Sequence, residues 1–452
     1  MKKIIYLLST CLCSLLLSCD DFLDAKPDKK TVVPTTLSDV NALLDYPVLA
    51  TASVIAEGCT DNIYLMETNW NAISTLRDRN MYIWENTDLD GDAGIWSGKY
   101  NHIFVCNVAL TALDKIVPKD NEQEEWKRLK GSALFLRSYG FFELLQLFAK
   151  PYQASTAGTD LGIPLKLNPD INEQVRRASL AACYEHIIKD METAIALLPI
   201  NSSVTTRPNQ KSAYAFLARV YLNMGNYEAA KRCADESLAL YNDLLDYNSL
   251  NLAATAPLAR FNKEVIFHCT GIGVLINPTI CRVDTLLYDS YGANDLRKAA
   301  FFKVNGTKNY TFKGSYDGTV SAAVFAGFTT AELYLIKAEC AARLGMKEEA
   351  LTALNKLLKN RWKQTAGTYM PLKAANAETA LELVLSERRK ELIFRGMRWN
   401  DLRRLNLEPR FATSLQRKLG TAVYVLPPNS KAYVFPIPYE VIQLSGITQN
   451  ER

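Results

Sequence analysis

Apolar residues recur with helical spacing over long sections of the chain, and this periodicity is the first guide to the fold. It predicts amphipathic helices over residues 96–116, 126–148 and 180–198. A proline, which cannot continue a helix, follows each stretch within three residues. The chain is therefore predicted to be mainly helical.

A repeat with an offset of 120 residues adds two helical pairs to this pattern. Each copy is a helix, a glycine-containing turn and a second helix, and the first copy resembles the turn of a tetratricopeptide repeat. Small residues let the two helices approach closely, and the glycine ends the first helix. The offset superposes Tyr214 on Tyr334, Ala218 on Ala338, Gly225 on Gly345, Glu228 on Glu348 and Ala230 on Ala350. With the other helices, the repeat predicts an array of about four tetratricopeptide-like pairs.

Two irregular segments interrupt the helical pattern, at about residues 41–95 and 242–328. The second contains a β-like run at residues 265–267 and recurring glycines. Loop-rich insertions of this size in a helical scaffold are usually functional, so we expect short strands and a binding site there. The predicted organisation is one domain over residues 38–452, with helices over about 97–241 and 329–405 and a C-terminal segment over 406–452.

The N-terminus predicts export and a lipid anchor. Residues 1–18 begin with two lysines and continue as a predominantly apolar stretch, which is too short for a membrane span of about 20 residues and is typical of a signal peptide. The sequence Leu16-Leu17-Ser18-Cys19 resembles the lipobox of bacterial lipoproteins, in which the cysteine is acylated. Plain secretion with Cys19 as an ordinary thiol is the alternative. Residues 19–37 are polar and are predicted to be a tether.

Composition and charge argue against a nucleic-acid partner. The chain has 452 residues and a formal charge of +4, from 52 basic and 48 acidic residues. Removal of residues 1–18 takes two lysines and leaves 50 basic residues against 48 acidic ones, a charge of +2. A nucleic-acid-binding domain is usually strongly basic, so the mature chain does not fit that class.

Cysteines, histidines and short motifs indicate neither a metal site nor a cofactor. The seven cysteines after Cys19 include no CxxC spacing, and several lie among small and apolar residues of predicted helices. We therefore expect core thiols rather than a disulfide framework. The only histidines are His102, His186 and His268, and no two have the spacing of metal ligands. P-loop, GxGxxG and GxSxG motifs are also missing from the sequence.

A charged block at residues 386–404 contains a carboxylate pair that could be taken for a catalytic acid and base. Glu387 and Glu391 lie one helical turn apart on one helix face and could be read as the acid and base of a glycosidase. Arg395 follows Glu391 by four residues, a spacing that favours an ion pair. Guanidiniums lower the pKa of a neighbouring carboxyl, whereas a general acid needs a raised pKa. The block is therefore predicted to be an ion network that holds a terminal helix to the array.

Aromatic residues in the irregular segments are the candidate ligand contacts. Sugar rings present apolar C–H faces that stack on aromatic rings, while their hydroxyls bond to amides and carboxylates. The alternative for each residue alone is packing against the core, which we expect for Trp96. The candidates are Tyr64, Trp70, Tyr82, Trp84, Tyr288 and Tyr291, together with Asn294.

Segments along the whole chain resemble the SusD/RagB family of Bacteroidota surface glycan-binding lipoproteins. The mature start and the stretch from Trp96 to Asn107 take part in this resemblance, as does the helix from Glu387 to Arg404. The other segments are Gly131-Ser-Ala-Leu-Phe-Leu-Arg137, Asp160-Leu-Gly-Ile-Pro164, Asn294-Asp295-Leu-Arg297, Phe435-Pro436-Ile437-Pro438 and Thr448-Gln449-Asn450.

The resemblance implies a non-enzymatic role at the cell surface. Family members are lipid-anchored on the outer face of the outer membrane, bind an oligosaccharide or polysaccharide without cleaving it, and deliver it to a SusC-like TonB-dependent transporter. The resemblance also implies that the helical array contacts the transporter and that the irregular segments bind the glycan. Peptide capture, performed by some relatives, is an alternative. A surface glycoside hydrolase that uses Glu387 or another carboxylate is a further alternative, and so is a pure assembly scaffold.

Overall fold

The structure, a computed structural model, describes residues 34–85 and 93–451. The predicted signal peptide, the predicted lipidation at Cys19 and most of the predicted tether lie outside these residues. Every structural statement below concerns the described part of the chain.

Helices form the scaffold, and short strands lie in the segments between them. The helices are α1 Leu37–Leu44, α2 Glu67–Asn71, α3 Leu76–Tyr82, α4 Ala93–Leu113, α5 Gln123–Phe148, α6 Leu180–Leu197, α7 Gln210–Met224, α8 Tyr227–Leu240, α9 Thr285–Asp289, α10 Leu296–Phe301, α11 Thr330–Arg343, α12 Lys347–Lys359, α13 Ala377–Glu391, α14 Arg398–Leu405 and α15 Tyr439–Ser445. The strands are β1 Ile63–Leu65, β2 Leu161–Pro164, β3 Arg177–Ser179, β4 Val265–Phe267, β5 Thr270–Ile272, β6 Cys281–Val283, β7 Phe302–Val304, β8 Tyr310–Phe312, β9 Ala323–Phe325, β10 Phe328–Thr329, β11 Leu415–Leu419 and β12 Ala422–Leu426.

Consecutive long helices pack against one another, as the apolar periodicity predicts. Helix α5 lies between α4 and α6, α7 packs on α8, and α11 packs on both α12 and α13. Helices α4 and α5 approach closely at Gly140, where an added Cβ would lie 3.0 Å from Cγ1 of Ile103. The mainly α, tetratricopeptide-like fold class is confirmed.

The two copies of the sequence repeat form equivalent helical pairs, α7–α8 and α11–α12. Gly225 and Gly345 end the first helix of each pair with φ angles of +72° and +80°, a conformation that glycine adopts without strain. The repeated small residues are fully buried where the helices meet: Ala218, Ala230, Ala338 and Ala350 are each 0% exposed. The repeat therefore encodes the close helix contact.

The irregular segments contain short strands that form two-stranded antiparallel pairs. Strand β1 of the first insertion pairs with β6 of the second, which places Tyr64 opposite Arg282. Within the second insertion, β5 pairs with β9 and β7 with β8. Strand β4 pairs with β10, so that Thr329 lies opposite Val265 and the insertion begins and ends side by side. The predicted β-like run at residues 265–267 is β4.

Aromatic rings join the second insertion to the helical array. Phe135 and Tyr139 of α5 meet Phe216 of α7 at centroid distances of 5.6 Å each. Phe267 of β4 lies 5.1 Å from Phe135, and Phe328 of β10 lies 5.7 Å from Phe216. These edge-to-face and tilted contacts are favourable ring geometries and fix the base of the insertion on the array.

The cysteines of the described residues are all free and buried, as predicted for core thiols. Burial raises the pKa of the Cys183 and Cys233 thiols to about 11, which keeps them protonated and unreactive near neutral pH. No helix within residues 34–85 and 93–451 combines the length and the hydropathy that crossing a bilayer requires.

Candidate functional site

Three of the predicted ligand-binding aromatics are core residues in the structure. Tyr82, Trp84 and Tyr291 are 1%, 8% and 1% exposed. Their polar atoms are satisfied by the backbone: Tyr82 Oη accepts from Leu65 N, Trp84 Nε1 donates to Cys59 O, and Tyr291 Oη donates to Lys390 O. A ring with this burial presents no face to a ligand, so core packing is the observed outcome for these three residues.

Tyr82 and Trp84 instead hold an arginine from the C-terminal hairpin. The guanidinium carbon of Arg417 on β11 lies 4.5 Å from the Tyr82 ring centroid and 5.0 Å from that of Trp84. Arg417 Nη1 also donates to the carbonyl of Ile63 at 2.6 Å. This arrangement fastens the hairpin to the first insertion and explains why two loop aromatics are buried.

Trp70 is half-buried on the short helix α2. Its Nε1 donates to the carbonyl of Arg79 at 3.0 Å, and the neighbouring Asn69 donates to the carbonyl of Ile280 at the same distance. Trp70 thus covers the turn around α3. It does not line the groove described next.

Two partly accessible tyrosines of the second insertion form a stack. The rings of Tyr288 on α9 and Tyr310 on β8 lie 3.5 Å apart with an interplanar angle of 10°. Both side chains are half-buried, so part of each ring remains accessible. Phe302 meets Tyr288 edge-on at 5.5 Å and supports the stack from the core side. Sequence reasoning identified Tyr288 and missed Tyr310, which lies two residues before Phe312 on the same strand.

Tyr64 fixes the hairpin that carries Tyr310. Its Oη donates to the carbonyl of Lys308 at 2.7 Å, across 244 residues of sequence. Lys308 has a φ of +54°, a conformation uncommon for a residue with a side chain. The first insertion therefore holds the β7–β8 turn in place, and two predicted residues contact the same hairpin: Tyr64 at Lys308 and Tyr288 at Tyr310.

A groove of about 540 Å³ opens beside the tyrosine stack, and we call it the tyrosine–lysine groove. Its lining consists of Leu252, Tyr288, Ala293, Asp295, Leu296, Lys298, Ala299, Phe302, Lys303, Val304, Lys313 and Lys363. Asn294 borders the groove through its backbone carbonyl, which accepts from Lys363 N at 2.9 Å. The groove thus collects Tyr288 and the surroundings of Asn294, and it adds four lysines that sequence reasoning did not single out.

The carboxylates of the charged block lie in a buried ion network, not at an open site. Glu391 is 0% exposed, and its oxygens lie 2.7 Å from Arg361 Nη2 and 3.2 Å from Arg297 Nη1. Glu387 pairs with both Arg297 and Lys390. Burial alone would raise the pKa of Glu391, but the guanidiniums of Arg361 and Arg297 outweigh burial and lower it.

The network differs from the prediction in one partner. Arg395 was expected to form the direct ion pair with Glu391, but its Nη1 donates to Thr329 Oγ1 at 3.2 Å and its guanidinium lies 3.9 Å from the centroid of the Tyr316 ring. The direct ion pair with Glu391 is formed instead by Arg361, which lies 30 residues before Glu391 in the chain. Arg361 also binds Glu264 at 2.8 Å, and the network therefore joins the second insertion to α13.

Metal ligation finds no support in this part of the chain. No group of three or more His, Cys, Asp or Glu side chains within residues 34–85 and 93–451 is arranged to hold a metal ion. Burial lowers the pKa of His102 to about 3 and that of His268 to about 4, so both are neutral at physiological pH.

Two family models match the chain and between them cover most of it. Residues 21–222 match a SusD-like model described as starch-binding and associating with the outer membrane, and residues 301–452 match the model of the SusD family. The helical-pair array interrupted by a loop-rich insertion is the fold of that group. The chain belongs to the SusD/RagB family.

Individual relatives agree with this assignment. SusD-like protein P2 of Formosa agariphila is 22% identical over an alignment of 377 positions that covers 70% of this chain and 72% of that protein. A crystal structure of a putative sugar binding protein from Bacteroides vulgatus superposes with a TM-score of 0.73 at 23% identity, covering 92% of this chain and 99% of that one. Surface glycan-binding protein A from Bacteroides fluxus superposes with a TM-score of 0.71 at 19% identity, with the same coverage. At these identities the superpositions establish the fold.

Proposed function

We propose that this protein binds an oligosaccharide or polysaccharide at the cell surface without cleaving it and delivers it to a SusC-like TonB-dependent transporter. The observation that carries the proposal is the Tyr288–Tyr310 stack, of which Tyr288 lines the tyrosine–lysine groove. An aromatic surface beside polar groups matches a sugar ring, which has apolar C–H faces and hydroxyls around its rim. Because the stack is supported by Phe302 and by the hairpin contact of Tyr64, its rings lose little freedom when a ligand binds.

Anchoring to the outer membrane is part of the proposal. Acylation of Cys19 would attach the chain to a leaflet, and several acyl chains would hold it stably. The description of the family model that matches residues 21–222 supports this location. The polar tether over residues 19–37 would then separate the folded domain from the membrane surface.

The absence of cleavage is supported by the state of the carboxylate pair. A retaining or inverting glycosidase needs two accessible carboxyl groups, one of them protonated near neutral pH. Glu391 is fully buried against Arg361 and Arg297, and its pKa is lowered. Reducing-sugar release by the purified protein would contradict this part of the proposal.

Isothermal titration of the mature lipoprotein in detergent against a glycan panel tests the binding proposal. We expect at least one oligosaccharide to bind, and we expect Tyr310→Ala to weaken that binding about tenfold, equivalent to about 1.4 kcal/mol for a lost stacking surface. Tyr439→Ala, which removes a tyrosine that is 59% exposed and outside the groove, is the matched control and should leave affinity unchanged. If no glycan binds while a peptide library does, the peptide-capture alternative replaces the proposal.

Delivery to the transporter has its own experiment. Affinity purification from detergent-solubilised outer membranes should recover a TonB-dependent transporter with the protein, and loss of the gene should impair growth on the bound polysaccharide. Recovery of the transporter together with an absence of any ligand would indicate a pure assembly scaffold instead.

A further inference from the structure

Four lysines surround the tyrosine–lysine groove. Lys303 and Lys363 are exposed, and Lys298 and Lys313 are half-buried. The ammonium of Lys298 lies 4.4 Å from the centroid of the Tyr288 ring and donates to the carbonyl of Tyr291 at 3.1 Å. The rear wall is formed in part by Lys313, whose ammonium donates to the carbonyls of Leu252 and Ala254 at 2.8 and 3.1 Å. Backbone contacts thus hold two of the four charges at the groove.

These charges are not balanced by acids of the protein. Among residues 34–85 and 93–451, none of the four ammonium groups takes part in an ion pair. The lining has one acidic residue, Asp295, against the four lysines, and its carboxylate lies 2.7 Å from Arg297 Nη2 and 4.0 Å from Lys390 Nζ. Burial lowers the pKa of the Lys313 ammonium, a cost that a bound anion would offset. The groove therefore has a net positive charge.

A second cavity of comparable size shows that this imbalance is not general. A cavity of about 630 Å³ between α8, α11 and α12 is lined by two acids and two lysines. There the ammonium of Lys337 lies 2.6 Å from Asp235 Oδ1 and 3.4 Å from Glu349 Oε1. Charges of opposite sign are matched in that cavity and unmatched in the tyrosine–lysine groove.

We infer that the ligand of the tyrosine–lysine groove is an anionic oligosaccharide, whose carboxylate or sulfate groups pair with Lys298, Lys303, Lys313 and Lys363 while its ring contacts the tyrosine stack. This inference rests on the proposed function and adds the substrate class to it. Lysine ammonium groups recognise such anions as point charges, so carboxylates and sulfate esters both satisfy the chemistry. Neutral glycans would leave the four charges without partners.

Titration of the full mature lipoprotein with matched pairs of oligosaccharides tests the inference. Oligogalacturonides against their methyl esters vary a carboxylate, and sulfated dextran oligosaccharides against plain ones vary a sulfate. We expect at least one anionic member to bind about tenfold or more tightly than its neutral partner. We also expect that affinity to fall as salt rises from about 50 to about 500 mM, because salt screens exposed charges. The pair with the larger ratio identifies the anion.

Two double variants distinguish the effect of the groove lysines on affinity from the effect of the protein's net charge. Lys303→Gln with Lys363→Gln removes the two exposed groove charges and should weaken anionic binding about tenfold, since each exposed pair contributes a modest amount. Lys189→Gln with Lys418→Gln removes two exposed lysines that do not line the groove and changes the net charge equally. That control should bind like the unmodified protein.

The possible results distinguish a failure of this inference from a failure of the proposed function on which it rests. If a neutral oligosaccharide binds as tightly as its anionic partner and Tyr310→Ala weakens it, the inference is overturned and the proposed function stands. If no oligosaccharide binds, or if poly-glutamate binds more tightly than every oligosaccharide, both are overturned. Equal loss of affinity in the two double variants would also overturn the inference, because the effect would then be one of overall charge.

Discussion

The buried ion network and the tyrosine–lysine groove use the same kinds of charged residue in opposite ways. They meet at helix α10, where Arg297 points into the network and Lys298, the next residue, borders the groove. Arg297 is 1% exposed and contacts three carboxylates, whereas Lys298 is half-buried and contacts none. Charge that is buried and paired serves the fold, and charge that is accessible and unpaired is available to a ligand.

Energetics explain why the two regions must differ. A buried charge without a partner carries a large desolvation penalty, so each guanidinium of the network requires a carboxylate. An exposed ammonium keeps its water and costs the fold little. Substitutions in the network should therefore change stability, and substitutions in the groove should change binding.

The largest expected effect is that of Arg361→Met. It removes a guanidinium bonded to both Glu264 and Glu391 and leaves two carboxylates buried without it. We expect a loss of about 3–5 kcal/mol in the free energy of unfolding, measured by urea denaturation. Lys363→Met, two residues away at the groove, is the control and should change that free energy by less than about 0.5 kcal/mol. Similar effects for both variants would remove the distinction drawn between the two regions.

Glu57 provides the next prediction, because it is a buried carboxyl outside the network. Burial raises its pKa from 4.5 to about 7, against the opposing effect of backbone N–H groups of residues 396–398. Between these pH values the folded protein binds more protons than the unfolded chain, so the contribution of Glu57 to stability falls as pH rises. A shift of this size corresponds to about 3 kcal/mol, fully lost above pH 7.

Glu57→Gln removes this titration while it keeps the shape of the protonated side chain. Unfolding of both proteins should be measured across the window from pH 4.5 to 8. We expect the variant to gain about 3 kcal/mol relative to the unmodified protein as pH rises through it. The difference between the two proteins isolates Glu57 from His102 and His268, which titrate equally in both. A difference that does not vary with pH would show that Glu57 is not a buried unpaired acid.

A smaller effect is expected from Tyr64→Phe, which removes the hydroxyl that donates to the Lys308 carbonyl. Loss of one such bond should cost about 1 kcal/mol. Faster hydrogen exchange confined to the β7–β8 hairpin would localise that loss, and the affinity for a glycan should fall with it. Tyr424→Phe, on the β11–β12 hairpin, is a matched control in which the β7–β8 hairpin should exchange at its original rate.

The smallest effect on stability is expected in the groove itself. Lys303→Gln with Lys363→Gln removes two exposed ammonium groups without ion-pair partners among the described residues. The free energy of unfolding should stay within about 0.5 kcal/mol of its original value, while ligand affinity falls. A large loss of stability would place these lysines with the structural charges and weaken the case for a binding groove.

The scaffold could be predicted from the sequence because its signals are local. The prolines after α5 and α6 and the glycines at 225 and 345 act within one helical turn of the ends they determine. The same holds for the buried alanines of the repeat, whose spacing is that of the helix itself. Each of these signals can be recognised without knowledge of the distant chain.

The site was harder to predict because its contacts are distant in sequence. Tyr310 becomes a candidate only when its ring is seen on Tyr288, and Arg361 becomes the partner of Glu391 only when the second insertion is folded. Tyr82 and Trp84 are buried in part because Arg417, more than 300 residues later in the chain, packs its guanidinium against their rings. The composition of a loop does not show which of its aromatic residues become buried in the folded protein.

The pairing of β4 with β10 has a consequence for how such a binding surface can be varied. Because Val265 and Thr329 lie opposite each other, the intervening chain leaves the helical array and returns to it at one point. The entropic cost of closing a loop grows only slowly with its length, so stretches of this chain that do not contact the array could be lengthened or shortened at small cost. Arg297 would have to be kept, because it pairs with the buried Glu387 and Glu391 of α13. A graft of the equivalent segment of a relative between residues 265 and 329 would therefore need an arginine in the place of Arg297 before it could be used to change ligand specificity.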